Sequence, residues 1–258
     1  MSRNINRKKF TLLNNINLYY AILTFLFLSI ITVFYYQKNF FLKNFYQTIE
    51  NFSIKYEYQY KNLNISGLNK VKYNFIESKL SKYLNSSIFL LPLDKINTEI
   101  KENNWIENVK LSTNYKDTLF VIVKEYRPLG IYKFNNKSFY FDRNGKIIDE
   151  KNNNLNNDKF IIFTGQSSNL EARNIIEIIE IIKFQKKYNI KEIIYIKKRR
   201  WDLILDNNIR LMLSEKFPKE SLLNYIKIEK NLVKEDMNNI KSLDLRNLNK
   251  TIIVYKKW

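Results

Sequence analysis

The sequence of 258 residues contains no cysteine and no histidine, and it has only four glycines and three prolines. The lack of thiols rules out disulfides and thiolate nucleophiles, and the lack of imidazole removes the commonest general base together with the usual zinc ligands. Gly67, Gly130, Gly145 and Gly165 are scattered, so no glycine-rich loop is available to cradle a phosphate with backbone N–H groups. Neither a cofactor nor a metal is expected. Acidic residues are also short, 25 against 44 basic ones, for a formal net charge of +19. Lys, Asn, Ile, Tyr and Phe abound while Gly, Ala and Pro are scarce, the bias of AT-rich coding, so part of this basicity is surface lysine set by codon supply. The rest would draw an exposed surface toward anionic lipid or polymer.

What is present begins with a hydrophobic fraction of 45% and an aromatic fraction of 15%, the composition of a folded chain. The uncharged run from Leu18 to Tyr36, LYYAILTFLFLSIITVFYY, reaches ~28 Å as a helix, close to the hydrocarbon thickness of a bilayer. Tyr19 and Tyr20 at one end, and Tyr35 and Tyr36 at the other, suit the two interfaces. Arg3, Arg7, Lys8 and Lys9 precede the run without an acidic residue, so residues 1–17 are expected in the cytoplasm and everything after Tyr36 outside the inner membrane. A cleaved signal peptide fits less well, because the apolar core is too long and no small-x-small site follows it. Residues 37–57 read as a juxtamembrane helix or linker. Phe41, Phe45, Ile49 and Phe52 share one helical face, which either continues the anchor, lies on the membrane, or packs under the next domain.

Residues 58–126 read as β-α-α-β-β. Tyr58 to Ile65 is a strand ended by Ser66-Gly67, and Val71, Phe75, Ile76, Leu80 and Leu84 mark a first helix. Leu93, Ile96 and Ile100 mark a second, with Asp94 near its start where the helix dipole favours an anion. Trp105–Asn114 and Thr118–Glu125 alternate as two strands. Within residues 127–258, Phe139 to Ile148 reads as a hairpin turning at Asn144-Gly145 and Phe160 to Phe163 as a strand. Leu170 to Tyr188 reads as a long amphipathic helix. Ile193–Lys197, Trp201–Leu205 and Ile209–Leu213 are further strands, a helix follows Pro218 to about Leu232, and Ile240–Leu245 and Thr251–Tyr255 close the chain.

The Ser-Gly-Leu strand end, the phrases Ser87-Ile88-Phe89-Leu90-Leu91-Pro92-Leu93-Asp94 and Trp105-Ile106-Glu107-Asn108-Val109, and Val123-Lys124-Glu125-Tyr126-Arg127-Pro128 together resemble the POTRA domain of the FtsQ/DivIB family. Asp142-Arg143-Asn144-Gly145-Lys146-Ile147, Arg199-Arg200-Trp201-Asp202-Leu203 and Leu243-Asp244-Leu245-Arg246 extend the resemblance over the second domain. The family implies an α+β fold. It would comprise one N-terminal transmembrane helix, a POTRA domain, and a mixed "β domain" with a curved, mainly antiparallel sheet and two helices. It further implies a division scaffold without catalytic activity at the septum, joining early to late components. Its partners would be FtsB and FtsL, with no nucleic acid and no small-molecule substrate. By the same resemblance Arg246, and one of Arg199 and Arg200, match arginines that meet acidic partner residues.

Read without the resemblance, Lys197-Lys198-Arg199-Arg200 is a polar corner between strands, a nucleic-acid patch, which the expected topology keeps away from nucleic acid, or a site for an acidic partner, to which Arg presents a planar fork. Thr251, Ile252, Ile253, Val254 and Tyr255 are strongly β-prone and fit an outer strand, on which a partner strand can be added; Lys256 and Lys257 would guard that edge. Glu177 and Glu180 share a helical face as a glycosidase pair might be sought, but Arg173 and Lys183 flank them, which makes a solvated ion-pair stripe. A membrane-anchored cell-wall enzyme, or a POTRA-bearing transport component, are the alternative functions.

Overall fold

A computed structural model describes residues 4–151, 160–232 and 234–256. Arg3 and Lys257, both named above, lie outside the described residues. The chain divides into two compact units, Met1–Ser66 with Asn74–Glu99 and Lys110–Ile122, and Gly67–Tyr73 with Ile100–Val109 and Val123–Trp258.

The first unit opens with helices α1 (Asn4–Tyr36) and α2 (Lys38–Lys55). Among the described residues no single helix is long and apolar enough to cross a membrane; Leu18–Val33 and Lys38–Lys55, bent by 65°, meet that measure only as a pair. Serine and threonine hydroxyls dilute the hydropathy of the run, yet each of the three is satisfied within the helix. Thr24 donates to the Ala21 carbonyl, Ser29 to Leu26 and Thr32 to Ser29, all within 2.7–2.9 Å. The large apolar side chains of the run, Phe25, Phe27, Leu28 and Ile30 among them, are exposed.

The C-terminal end of α2 is fastened to the same unit. Ser53 is buried and its hydroxyl lies 2.6 Å from that of Ser87, whose N–H donates to Glu50 at 3.1 Å. Strand β1 (Asn62–Ser66) is followed by α3 (Tyr73–Leu80), a 3-10 turn at Ser81–Tyr83, α4 (Leu93–Ile100), β2 (Ile106–Thr113) and β3 (Thr118–Glu125), in the sheet order β1-β3-β2. This is the expected β-α-α-β-β order, with β1 parallel to β3 from Asn62↔Thr118 to Ser66↔Ile122. The expected strand start at Tyr58 moves to Asn62, because Tyr60 N–H donates to Ser86 O and Ile88 N–H to Tyr58 O.

In the second unit the Ser-Gly and Val-Lys-Glu phrases explain each other. Gly67 has φ +85°, and a Cβ there would stand 2.0 Å from the Val123 carbonyl oxygen. The turn it opens presents the N–H groups of Asn69, Lys70 and Val71 to the Glu125 carboxylate at 2.8–2.9 Å. Trp105 donates from its indole to Asp149 at 3.0 Å and packs on Tyr140.

The large sheet has nine strands, β4 (Gly130–Phe134), β5 (Lys137–Phe141), β6 (Ile147–Glu150), β7 (Ile162–Thr164), β8 (Ile190–Ile196), β9 (Arg200–Leu205), β10 (Arg210–Leu213), β11 (Ile240–Asn247) and β12 (Lys250–Tyr255). Their order is β12-β11-β10-β9-β8-β7-β4-β5-β6. Hairpin neighbours are antiparallel, while β4–β7, β7–β8 and β10–β11 are parallel. Helices α5 (Ser168–Ile181) and α6 (Pro218–Asn231) send Ile175, Ile179, Leu222 and Tyr225 into one core with Phe163, Leu203, Leu211 and Leu243. The amphipathic helix expected to reach Tyr188 stops at Ile181. Lys183 takes φ +54° and turns the chain so that Phe184 enters the core. Strand β4 and a short helix, α7 (Lys234–Asn239), were not foreseen; β4 has too few residues for its alternation to announce it.

Candidate functional site

Five of the eight singled-out residues lie on β12. The strand pairs antiparallel with β11 on one side, Asp244↔Ile252, Leu243↔Ile253 and Ser242↔Val254, and stands last in the sheet order. Its other side meets no described strand, so every second backbone N–H and C=O points outward unpaired. Ile253 packs on the main core, whereas Ile252 is 50% and Val254 43% exposed. Lys256 does not stand guard over this edge: its ammonium donates to the Asn238 carbonyl at 2.8 Å.

Register carries the charged residues to the same face as Ile252. Across the sheet Ile252 faces Asp244, Asp244 faces Met212, and Met212 faces Asp202. Arg246, two residues beyond Asp244, turns back onto it, with Nε donating to Oδ1 at 2.8 Å. Arg200 Nε lies 3.4 Å from Asp202 Oδ1. Arg199, in the turn before β9, pairs with Glu215 at 3.1 Å. The tight turn before it holds Lys197 and Lys198 at φ +49° and +54°, a left-handed conformation that lysine adopts under strain. Arg199, Arg200 and Arg246, distant in sequence, thus line one open hollow of about 550 Å³ with Phe217, Asn247 and Leu248.

The two adjacent arginines differ. The Arg200 side chain is 18% exposed and serves a buried carboxylate, while those of Arg199 and Arg246 are 58% and 50% exposed and reach solvent. The Arg246 guanidinium holds the Asp244 carboxyl below its ordinary range, and Asp244 in turn raises Arg246. Both stay charged at neutral pH. The arrangement offers an extended partner segment a row of backbone hydrogen bonds, an apolar row at Ile252 and Val254, and guanidinium forks for its carboxylates.

Asp202 and Arg210 belong to this face; sequence reasoning passed over Arg210 and had Asp202 only as part of the Arg-Arg-Trp-Asp-Leu phrase. Asp202 is fully buried, and Arg210 grips it through Nε at 2.9 Å and Nη2 at 2.6 Å. The matching parity of Asp202 and Arg210 across the Asn207-Asn208 turn was the available signal. Elsewhere, Arg143 reaches Glu180 at 2.8 Å and Arg173 reaches Glu177 at 2.8 Å. These ion pairs lower the Glu177 pKa, first through the Arg173 hydrogen bond, which is opposite to what a general acid needs.

Comparison with known proteins matches residues 130–246 to the family profile described as cell division protein FtsQ/DivIB, C-terminal, and residues 59–126 to the FtsQ-type POTRA domain. The chain is 31% identical over 217 residues to the cell division protein FtsQ of Rickettsia felis, covering 84% of this chain and 78% of that protein. FtsQ of Rickettsia prowazekii is 30% identical over 214 residues, 82% of this chain and 76% of the relative. FtsQ of Bartonella bacilliformis is 26% identical over 163 residues, 62% and 51% respectively.

Proposed function

Because the chain belongs to the FtsQ/DivIB family of cell division proteins, we propose that it is a bitopic, non-catalytic scaffold that captures FtsB, together with FtsL, on the outer edge of β12. In this reading Leu18–Tyr36 spans the inner membrane with residues 1–17 in the cytoplasm. The POTRA segment 58–126 and the sheet of 127–258 then work in the periplasm at the septum, linking early to late division components. The observation that carries the docking mode is the terminal position of β12 in the sheet, with Ile252 and Val254 exposed. An FtsB segment would extend the sheet by one strand and set acidic side chains against Arg246 and Arg199. Membrane tethering raises the effective concentration of both partners, so a modest strand-on-strand interaction suffices.

The anchor reading draws on the exposed apolar run and on Thr24, Ser29 and Thr32, whose hydroxyls are bonded within the helix and so can enter a bilayer. The deciding experiment is binding of the full-length chain in nanodiscs to the FtsB–FtsL pair of its own organism. Saturable binding that is lost on mutating β12 supports the proposal; binding unaffected by such changes sinks it.

A further inference from the structure

Helix α2 carries an apolar stripe that nothing described covers. Leu42, Phe45 and Tyr46 are 41%, 60% and 52% exposed and fall on one face, while Asn44, Gln47, Asn51 and Lys55 occupy the other. The stripe follows the apolar run of α1 after the polar Gln37-Lys38-Asn39, and the 65° bend turns α2 well away from the direction of that run. In the crook, Phe41 lines a hollow of about 230 Å³ with Ser29, Ile30 and Val33. At its far end α2 is held to its unit by Ser53 and Glu50, and Phe52 stacks on Tyr58.

We propose that the first half of α2 is an interfacial helix, with Leu42, Phe45 and Tyr46 sunk into the outer leaflet of the bilayer that α1 crosses. The proposal rests on the reading of α1 as a membrane span. With α1 along the bilayer normal, a 65° bend lays α2 much closer to the membrane plane than to its normal. Its exposed stripe then resumes, after Gln37-Lys38-Asn39, the apolar surface already in lipid. Aromatic rings beside Lys38 and Lys43 are the composition that partitions to headgroup level, the rings below and the ammonium groups among phosphates. A partner helix could cover the same stripe, but it would leave a bilayer-facing elbow without apolar cover on the membrane side. The helix therefore does more than link. It carries Ser53 and Glu50, and the residues they hold, at the membrane surface instead of on a free tether.

The cysteine-free sequence makes the test clean. Phe27→Cys, Phe45→Cys and Gln47→Cys are each spin-labelled in the full-length chain, reconstituted into phosphatidylethanolamine–phosphatidylglycerol vesicles, and probed with oxygen and with a water-soluble nickel chelate. The label at Phe45 is expected to show an oxygen-to-nickel accessibility ratio several-fold above that at Gln47, and below that at Phe27. Equal, nickel-accessible labels at Phe45 and Gln47, with Phe27 in lipid, overturn the interfacial helix and leave the anchor standing. Protection of Phe45 from both reagents assigns the stripe to a protein contact and overturns it too. A nickel-accessible Phe27 shows instead that the anchor reading itself has failed, and the proposal with it.

Discussion

Arg246 and Asp244, two residues apart on one face of β11, form a bidentate ion pair in which the two guanidinium nitrogens Nε and Nη2 each donate to a separate carboxylate oxygen. The pair holds the Arg246 fork beside the outer strand before any partner arrives. A pre-oriented guanidinium loses less side-chain entropy on binding a carboxylate than a free one.

Charge reversal of the two solvent-reaching arginines, Arg199→Glu with Arg246→Glu, should weaken FtsB–FtsL capture by about 100-fold, since each removes a favourable charge and adds a repulsive one. Both arginines reach solvent, and although Asp244 is only 15% exposed, thermal stability should fall far less than binding does, by about 1 kcal/mol per lost pair. Calorimetric titration alongside thermal unfolding separates the two effects. The Arg200 side chain is mostly buried against Asp202, and Arg200→Ala should instead show a loss of stability.

Proline substitution along β12 tests strand addition directly. Successive N–H groups of an outer strand point alternately to its neighbour and to open space. Of Ile252→Pro and Ile253→Pro, one should remove a ladder bond to β11 and lower stability. The other should leave the melting curve nearly unchanged while abolishing partner binding. Equal binding by both variants, with the sheet intact, would exclude a guest strand on that edge.

Asp202 neutralises Arg210 and Arg200 from a buried position. Asp202→Ala should cost about 3 kcal/mol in chemical denaturation, because two guanidinium groups lose their carboxylate. Combining Asp202→Leu with Arg210→Met and Arg200→Met should recover most of that loss, because both guanidinium groups leave together with the buried carboxylate.

Acid stability should depend on Glu125. Burial alone would raise its pKa, but N–H bonds from Asn69, Lys70 and Val71, with the charge of Lys70, bring it below the ordinary value of 4.5. A carboxyl depressed on folding contributes stability above its unfolded pKa, and that contribution is lost as pH falls through the folded value. Glu125→Gln should therefore lower stability at pH 7 by about 1 kcal/mol, as loss of a cap does, and flatten the decline below about pH 4.5. Denaturation midpoints across pH 3–7 provide the measurement.

The β-α-α-β-β order was legible because each element there carries its own period and its own stop, such as Gly67 after β1 and Pro92 before α4. The long helix of 170–188 was overread: Ile182, Phe184 and Tyr188 keep apolar spacing, and nothing in their side chains betrays that Lys183 leaves the helical region. Likewise Arg199 and Arg200 are indistinguishable as neighbours in sequence. Strand parity sends one toward Asp202 and leaves the other beside Glu215.

Local chemistry determined the anchor-like run, the succession of helices and strands, the β-prone terminus and the basic corner Lys197–Arg200, because periodicity and charge are properties of short segments; Arg246 was singled out only by the family resemblance. Only the tertiary structure decided which strand is outermost and which charges meet. The parallel pairing of β10 with β11, after the α6 crossover, puts β12 at the margin and brings Arg246 to Arg199 and Arg200. Such pairings join residues far apart in the chain, and their energy is spread over a core that no short segment contains.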